Sequence, residues 1–233
     1  MFSLEKERAK GETITVFLNK IMTKIFIFGD SLSYGKWDTE TSGWAGRLRR
    51  HLDEKVMDGK GYFETFNFGL PGDFSGGLLR RFESDLKPRF RDGEDIVIVF
   101  QIGINDTQFV SAAGQVRTSN EEFAGNLKNL IGIAQKYTQK IVFIGLTPVN
   151  EEQTLTVPWY HDDYYKNNWI KEYNEVMKSA AKEKGAHFLG LFDKLSEKRY
   201  FENLVDGLHP NSKGHERLFR IIRDFLVDKK ILK

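Results

Sequence analysis

The segment Gly29-Asp30-Ser31-Leu32-Ser33-Tyr34-Gly35 follows a short apolar run and carries a serine between two glycines. Two chemistries suit such a turn. One is phosphate cradling, but G-x-G-x-x-G is absent here, and for G-x-x-x-x-G-K-[ST] the step from Gly29 to Gly35 is one residue too long. Trp37 also follows Lys36 where a metal-binding hydroxyl would belong. The other is a hydroxyl nucleophile presented at the start of a helix, where its own backbone N–H can face developing negative charge. Such a hydroxyl needs a base. Far along the chain, Asp206-Gly207-Leu208-His209-Pro210 offers one. A carboxylate three residues before an imidazole can fold back across one turn and accept its Nδ1–H, which leaves Nε2 free to take the serine proton. An isolated Asp-x-x-His more often marks a hydrogen-bonded loop histidine, so the pair gains meaning only beside the serine.

Two further segments have residue types that could hold an oxyanion. In Gly69-Leu70-Pro71-Gly72 the last glycine can bring a bare backbone N–H close to a ligand, and in Gly103-Ile104-Asn105-Asp106 the Asn105 side chain supplies an amide donor. Alone, the Gly69 to Gly72 segment reads better as a simple turn, and Asn105 reads equally well as a turn residue. The remaining histidines are weaker candidates. His51 and His215 fall in helical patterns and His187 begins a strand, while His161 lies in an aromatic loop that could border a pocket.

The elements that must position these residues alternate between strand and helix. Lys24 to Phe28, Phe63 to Asn67, Asp95 to Ile102 and Ile141 to Leu146 read as buried strands of a parallel sheet, with a shorter fifth at His187 to Leu191. Helical patterns lie between them, notably Ser119 to Tyr137, opened by the capping pair Ser119 and Glu122, and about Asp163 to Lys184. A last helix begins near Asn211. Its Leu218, Ile221, Ile222, Phe225 and Leu226 recur at helical spacing, leaving Arg217, Arg220, Arg223 and Asp224 toward solvent. This alternation predicts a doubly wound sheet with helices on both faces. In such sheets ligands sit outside the carboxyl ends of the strands, where all four segments fall.

With 233 residues, the chain suits one α/β domain better than two. Its hydrophobic share of 40% and aromatic share of 13% are spread along the chain, which excludes disordered and membrane-spanning classes. Thirty-five basic residues against 33 acidic leave a formal charge of +2, so no electrostatic footprint points to nucleic acid or an anionic membrane surface. The absence of cysteine excludes disulfides, thiolate metal sites and a cysteine nucleophile. Residues 1–22 read equally as an appended arm or as a product of start-site choice before Met22: interspersed Lys and Glu, then a mostly apolar run from Ile14 to Leu18 that stops at Asn19 and Lys20 without a cleavage pattern. No secretory signal or membrane span is expected, and the expected location is cytoplasmic. The single domain is expected over residues 23–233.

In this order and with roughly this spacing, the segments around Ser31, Gly72, Asn105 and Asp206–His209 resemble the four blocks of the SGNH (GDSL-type) hydrolases, a family of esterases, lipases and thioesterases. The match runs from Lys24 to the C-terminus. The resemblance implies a three-layer α/β/α fold of flavodoxin-like kind, with a doubly wound, five-stranded parallel sheet and neither a metal nor an organic cofactor. It implies Ser31 as nucleophile, His209 as general base and Asp206 as its orienting carboxylate, with the Ser31 and Gly72 N–H groups and the Asn105 amide as oxyanion donors. Asp30 and Asp106, beside the motif residues, are then structural hydrogen-bonders. No G-x-S-x-G elbow occurs, which argues against the α/β-hydrolase fold. The expected activity is cleavage of a small-molecule carboxylic ester, thioester or carbohydrate O-acetyl bond through an acyl-enzyme. The alternative is a non-catalytic ligand-binding module on the same fold. Trp37, Phe74, Phe109, Trp159 and Tyr160, with Trp44, are aromatic candidates for a pocket or for the core, and Trp159 to Tyr165 for a rim.

Overall fold

A computed structural model describes residues 22–155, 157 and 163–232. Residues 1–21 of the expected arm lie outside the described residues, as do Trp159, Tyr160 and His161. From its start the chain runs β1 (Thr23–Gly29), α1 (Ser31–Tyr34), α2 (Gly43–Met57), β2 (Phe63–Gly69), α3 (Ser75–Leu86) and β3 (Asp95–Gln101). A two-stranded ribbon of β4 (Phe109–Val110) and β5 (Gln115–Val116) follows, then α4 (Asn120–Ala134), β6 (Ile141–Ile144) and α5 (Glu151–Thr154). The chain closes with α6 (Asn167–Lys184), β7 (His187–Leu189), α7 (Phe192–Leu195), α8 (Lys198–Phe201) and α9 (Ser212–Asp228).

The main sheet has the order β2-β1-β3-β6-β7 with every neighbouring pair parallel. The sheet is doubly wound, as the alternating pattern predicts, and has the flavodoxin-like order that the resemblance implies, with the order reversing between β1 and β3. Both sheet faces are covered, and the strand sequences divide their side chains accordingly. Period-two alternation sends Phe26, Phe28, Ile98, Phe100 and Phe143 to one face, beneath α3, α4 and α6. It sends Ile25, Ile27, Val97, Val99, Val142 and Ile144 to the other, beneath α2 and α9. The aromatic face is stitched across the strands: Phe28 stacks on Phe68 at 4.8 Å, Phe100 on Phe143 at 4.9 Å, and Phe82 of α3 meets Phe28 edge-on at 4.8 Å. Such pairs contribute about 0.5–1.5 kcal/mol each beyond their buried area.

Two helices differ from their sequence patterns. The helix expected from Asp163 begins at Asn167, because Tyr164 is extended and pairs antiparallel with Phe109 as a third rung on the ribbon. The helix expected over Ser119–Tyr137 runs from Asn120 to Ala134, with the Ser119 hydroxyl capping the Glu122 N–H at 3.2 Å. The last helix starts as expected. The Asn211 side chain accepts the Gly214 N–H at 3.1 Å, and Leu218, Ile222 and Leu226 are buried while Ile221 and Phe225 pack at the edge of the same core. Among the described residues no helix is long and apolar enough to cross a membrane.

Candidate active site

Four loops meet at the carboxyl edge of β1, β2 and β3. At the end of β1 the chain turns directly into α1, and the Asp30 carboxylate caps that helix by accepting the Leu32 N–H at 2.9 Å. Ser31 is therefore the first helical residue, where backbone N–H groups lack intrahelical partners. The turn is possible because residue 29 is glycine: a Cβ there would lie 2.2 Å from the Gln101 carbonyl oxygen and 2.3 Å from Ser33 Oγ.

The loop before α9 brings His209 to this serine from 178 positions along the chain, with His209 Nε2 2.7 Å from Ser31 Oγ. On the far side of the ring, Nδ1 lies 2.8 Å from Asp206 Oδ2. The carboxylate is filled from all sides. Its Oδ1 accepts the backbone N–H groups of Leu208 at 3.1 Å and His209 at 2.8 Å, and its Oδ2 also accepts the Trp37 indole N–H at 2.8 Å. Burial alone would raise the Asp206 pKa. The hydrogen bonds and charge of His209, with the Trp37 indole, outweigh it and hold the carboxyl well below the usual carboxylate range. An ionised Asp206 keeps Nδ1 protonated and Nε2 basic, so the arrangement can withdraw a proton from the Ser31 hydroxyl.

The two other expected segments form the turns after β2 and β3. Gly72 sits at φ 80°, a left-handed conformation that favours glycine, and a Cβ there would meet no atom within 4 Å, so the backbone angle and not the space calls for glycine. Its turn is clamped by Arg81 of α3. That guanidinium pairs with Asp73 at 2.7 Å and donates to the carbonyls of Phe68 at 3.0 Å and Gly29 at 3.1 Å, tying the ends of β2 and β1 together. Asn105 follows β3 and is buried; its Nδ2 donates to the Asp73 carbonyl at 2.8 Å and its Oδ1 accepts the Tyr165 hydroxyl at 3.0 Å.

Asp106, next in the chain, accepts the Ser75 N–H at 2.9 Å and hydroxyl at 2.5 Å, which docks the start of α3 against the Asn105 turn. Burial raises its pKa to about 6 against these bonds. Asp30 is raised further, to about 8, chiefly by burial, which outweighs the Leu32 N–H, with Asp73 and Asp106 adding repulsion. At neutral pH the folded chain therefore keeps a proton on Asp30 that the unfolded chain, with an ordinary carboxyl near 3.8, has released. Stability at this site falls as pH rises from about 4 to about 8. Asp30→Asn retains a capping oxygen but cannot ionise, so its denaturation midpoint relative to the parent should rise progressively across that window and level off beyond it. An offset independent of pH, in denaturant titrations at pH 4.5, 6 and 8, would contradict the buried-proton account.

The aromatic pocket candidates take separate places. Trp37 is 49% exposed, lies at φ 67° and anchors on Asp206. With Tyr34, 54% exposed, it borders a groove of about 580 Å³ beside α1. Phe74 leads into α3 next to the Gly72 turn, with the guanidiniums of Arg80 and Arg117 5.5 and 5.9 Å from its ring centre. Phe109 stacks on Tyr164 and Trp169. Trp44 belongs to the core, with its indole N–H on Gln101 at 2.7 Å. Trp159 and Tyr160 lie outside the described residues. Of the stretch read as a rim, Asp163 and Tyr165 are buried. Sequence reasoning missed three organising side chains: Arg81, Tyr165 and the indole of Trp37 as a donor to Asp206. Nothing in one chain separates Arg81 from the adjacent Arg80, or marks which tyrosine reaches an amide.

Fold and site together place the chain among the three-layer α/β/α hydrolases of SGNH type. It belongs to the GDSL-like lipase/acylhydrolase family, whose model matches residues 27–217. As a member of that family it is a carboxylic ester hydrolase acting on small-molecule esters. Solved structures support the fold. A lipase/acylhydrolase from Enterococcus faecalis superposes with a TM-score of 0.69 at 20% identity, covering 89% of this chain and 97% of its own. An acetyl xylan esterase gives 0.68 at 18%, covering 87% and 99%, and the psychrotrophic esterase EstA from Pseudoalteromonas sp. gives 0.65 at 20%, covering 90% and 99%. A search of curated proteins finds no sequence match.

Proposed function

We propose that Ser31 is the nucleophile of ester hydrolysis, His209 its general base and acid, and Asp206 the carboxylate that orients the imidazole. The observation that carries this reading is the 2.7 Å contact of Ser31 Oγ with His209 Nε2 while Nδ1 is held at 2.8 Å by Asp206. Ser31 Oγ attacks the acyl carbon as its proton passes to Nε2. The resulting oxyanion is held by the N–H groups of Ser31 and Gly72 and by the remaining N–H of Asn105. The ester C–O bond then breaks, and the imidazolium returns its proton to the departing alkoxide, leaving an acyl-serine. Water attacks that ester, giving its proton to Nε2. Collapse releases the carboxylic acid and restores the Ser31 hydroxyl. Asp206 stays ionised throughout and stabilises the imidazolium.

A fluorophosphonate probe tests the nucleophile directly. Covalent labelling should fall on Ser31 and vanish in Ser31→Ala, whereas an unlabelled native protein would favour a ligand-binding role on the same scaffold. The substrate panel should hold p-nitrophenyl acetate, an acyl thioester and acetylated xylo-oligosaccharides. The last is supported by the acetylxylan esterases among the similar structures and by the half-exposed rings of Tyr34 and Trp37 beside α1.

A further inference from the structure

We infer that Tyr165 is the positioning residue of the oxyanion site: its hydroxyl, together with the Asp73 carbonyl, holds the Asn105 amide in the orientation that leaves one N–H over. The inference rests on the donor role proposed for Asn105. An amide has one oxygen with two lone pairs and one nitrogen with two hydrogens, and in a buried site each must be accounted for. Asn105 Oδ1 accepts from Tyr165 Oη at 3.0 Å, and one Nδ2 hydrogen goes to the Asp73 carbonyl at 2.8 Å. One N–H is left to meet an oxyanion. A flipped amide would set Oδ1 against the Asp73 carbonyl oxygen and lose that bond, so the carbonyl selects the orientation, and the Tyr165 hydroxyl, donating to Oδ1, holds the amide in it.

Tyr165 is built into the fold for this contact. Tyr164 pairs with Phe109, its N–H and carbonyl bonding Phe109 at 3.3 and 2.9 Å, so residues 163–165 run as an extended rung along the ribbon. Alternation along that rung turns Tyr164 outward onto Phe109 and Trp169, and turns Asp163 and Tyr165 inward. Asp163 fastens the rung by accepting from Gln108 Nε2 and the Ser111 N–H, both at 3.0 Å, and the Tyr165 N–H is held by the Thr154 carbonyl at 3.1 Å. Burial pushes the Tyr165 phenol far above its ordinary value, so it remains a donor at every working pH. Chain entering α6 thereby reaches under the ribbon to the amide after β3.

The test is a double-mutant cycle on the full chain with p-nitrophenyl acetate. Tyr165→Phe should lower kcat about tenfold, the scale of one buried hydrogen-bond partner, with KM unchanged. In an Asn105→Ala background, Tyr165→Phe should cost nothing further, because the group it orients is gone. Parent-like kcat in Tyr165→Phe, or a full second loss in the Asn105→Ala background, would overturn the inference while leaving the donor role of Asn105 intact. Parent-like kcat in Asn105→Ala would remove that donor role and this inference with it. Amino acids of the same size guard against a folding defect: p-methylphenylalanine at position 165 should slow kcat like phenylalanine, and p-aminophenylalanine, which keeps a donor, should restore it. Equal rates for these two would overturn the inference.

Discussion

Ser31→Ala and His209→Ala should each lower kcat for p-nitrophenyl acetate by about 10⁶-fold, and the double variant should be scarcely slower than either. If Ser31 is the nucleophile and His209 its base, as proposed, the two act as one unit through their 2.7 Å contact, and removing either half disables the same proton transfer. The loss corresponds to roughly 8 kcal/mol of transition-state stabilisation at 1.36 kcal/mol per tenfold. Folding should be almost untouched. Ser31→Ala deletes a single hydrogen bond, worth about 1 kcal/mol, and in His209→Ala the Asp206 carboxylate keeps the Trp37 indole and the Leu208 N–H. Retained turnover in either single variant, in a protein whose unfolding midpoint matches the parent, would rule out the assigned pair.

Asn105→Ala is expected to lower kcat by about 10²–10³, roughly 2.7–4 kcal/mol, with little change in KM, because a bond to the oxyanion forms fully only in the transition state. The same side chain ties two loops, through the Asp73 carbonyl and Tyr165, so a purely structural role is a concrete competitor. The competitor predicts a different pattern: a lowered unfolding midpoint with kcat and KM disturbed together. Steady-state kinetics beside a denaturant titration separates the two. Phosphonylation should also slow, since it passes through a similar charged oxygen. An unchanged kcat would leave the N–H groups of Ser31 and Gly72 as the donors.

Much of this was legible in one chain because local rules suffice for it. The apolar runs that become β1, β3 and β6 carry alternating side-chain types, Ile25 and Ile27 against Phe26 and Phe28, and a run buried on both faces reads as a parallel strand flanked by helices. Turn residues follow each run. The serine after β1 and the asparagine after β3 had to emerge on the same edge once all strands were parallel, and Asp206 and His209 are close enough in sequence to bond without help from the fold. The ribbon was not legible, since strands of two residues carry no periodicity, and its third rung disguised the start of α6.

What the sequence determined by itself, then, was the sheet, its order of elements and the residues at its carboxyl edge, all consequences of periodicity and chain direction. Tertiary structure alone decided how those residues are held. The fourth donor to Asp206 comes from Trp37, 169 positions away, and the partner of Asn105 from Tyr165, 60 positions away. Arg81, not Arg80, binds the ends of β1 and β2, because the helix turns only one of two adjacent guanidiniums toward Asp73. Such contacts depend on how loops cross above the sheet. No local pattern encodes that crossing, since an amide or a carboxylate is satisfied by any donor that arrives and the packed core determines which one does.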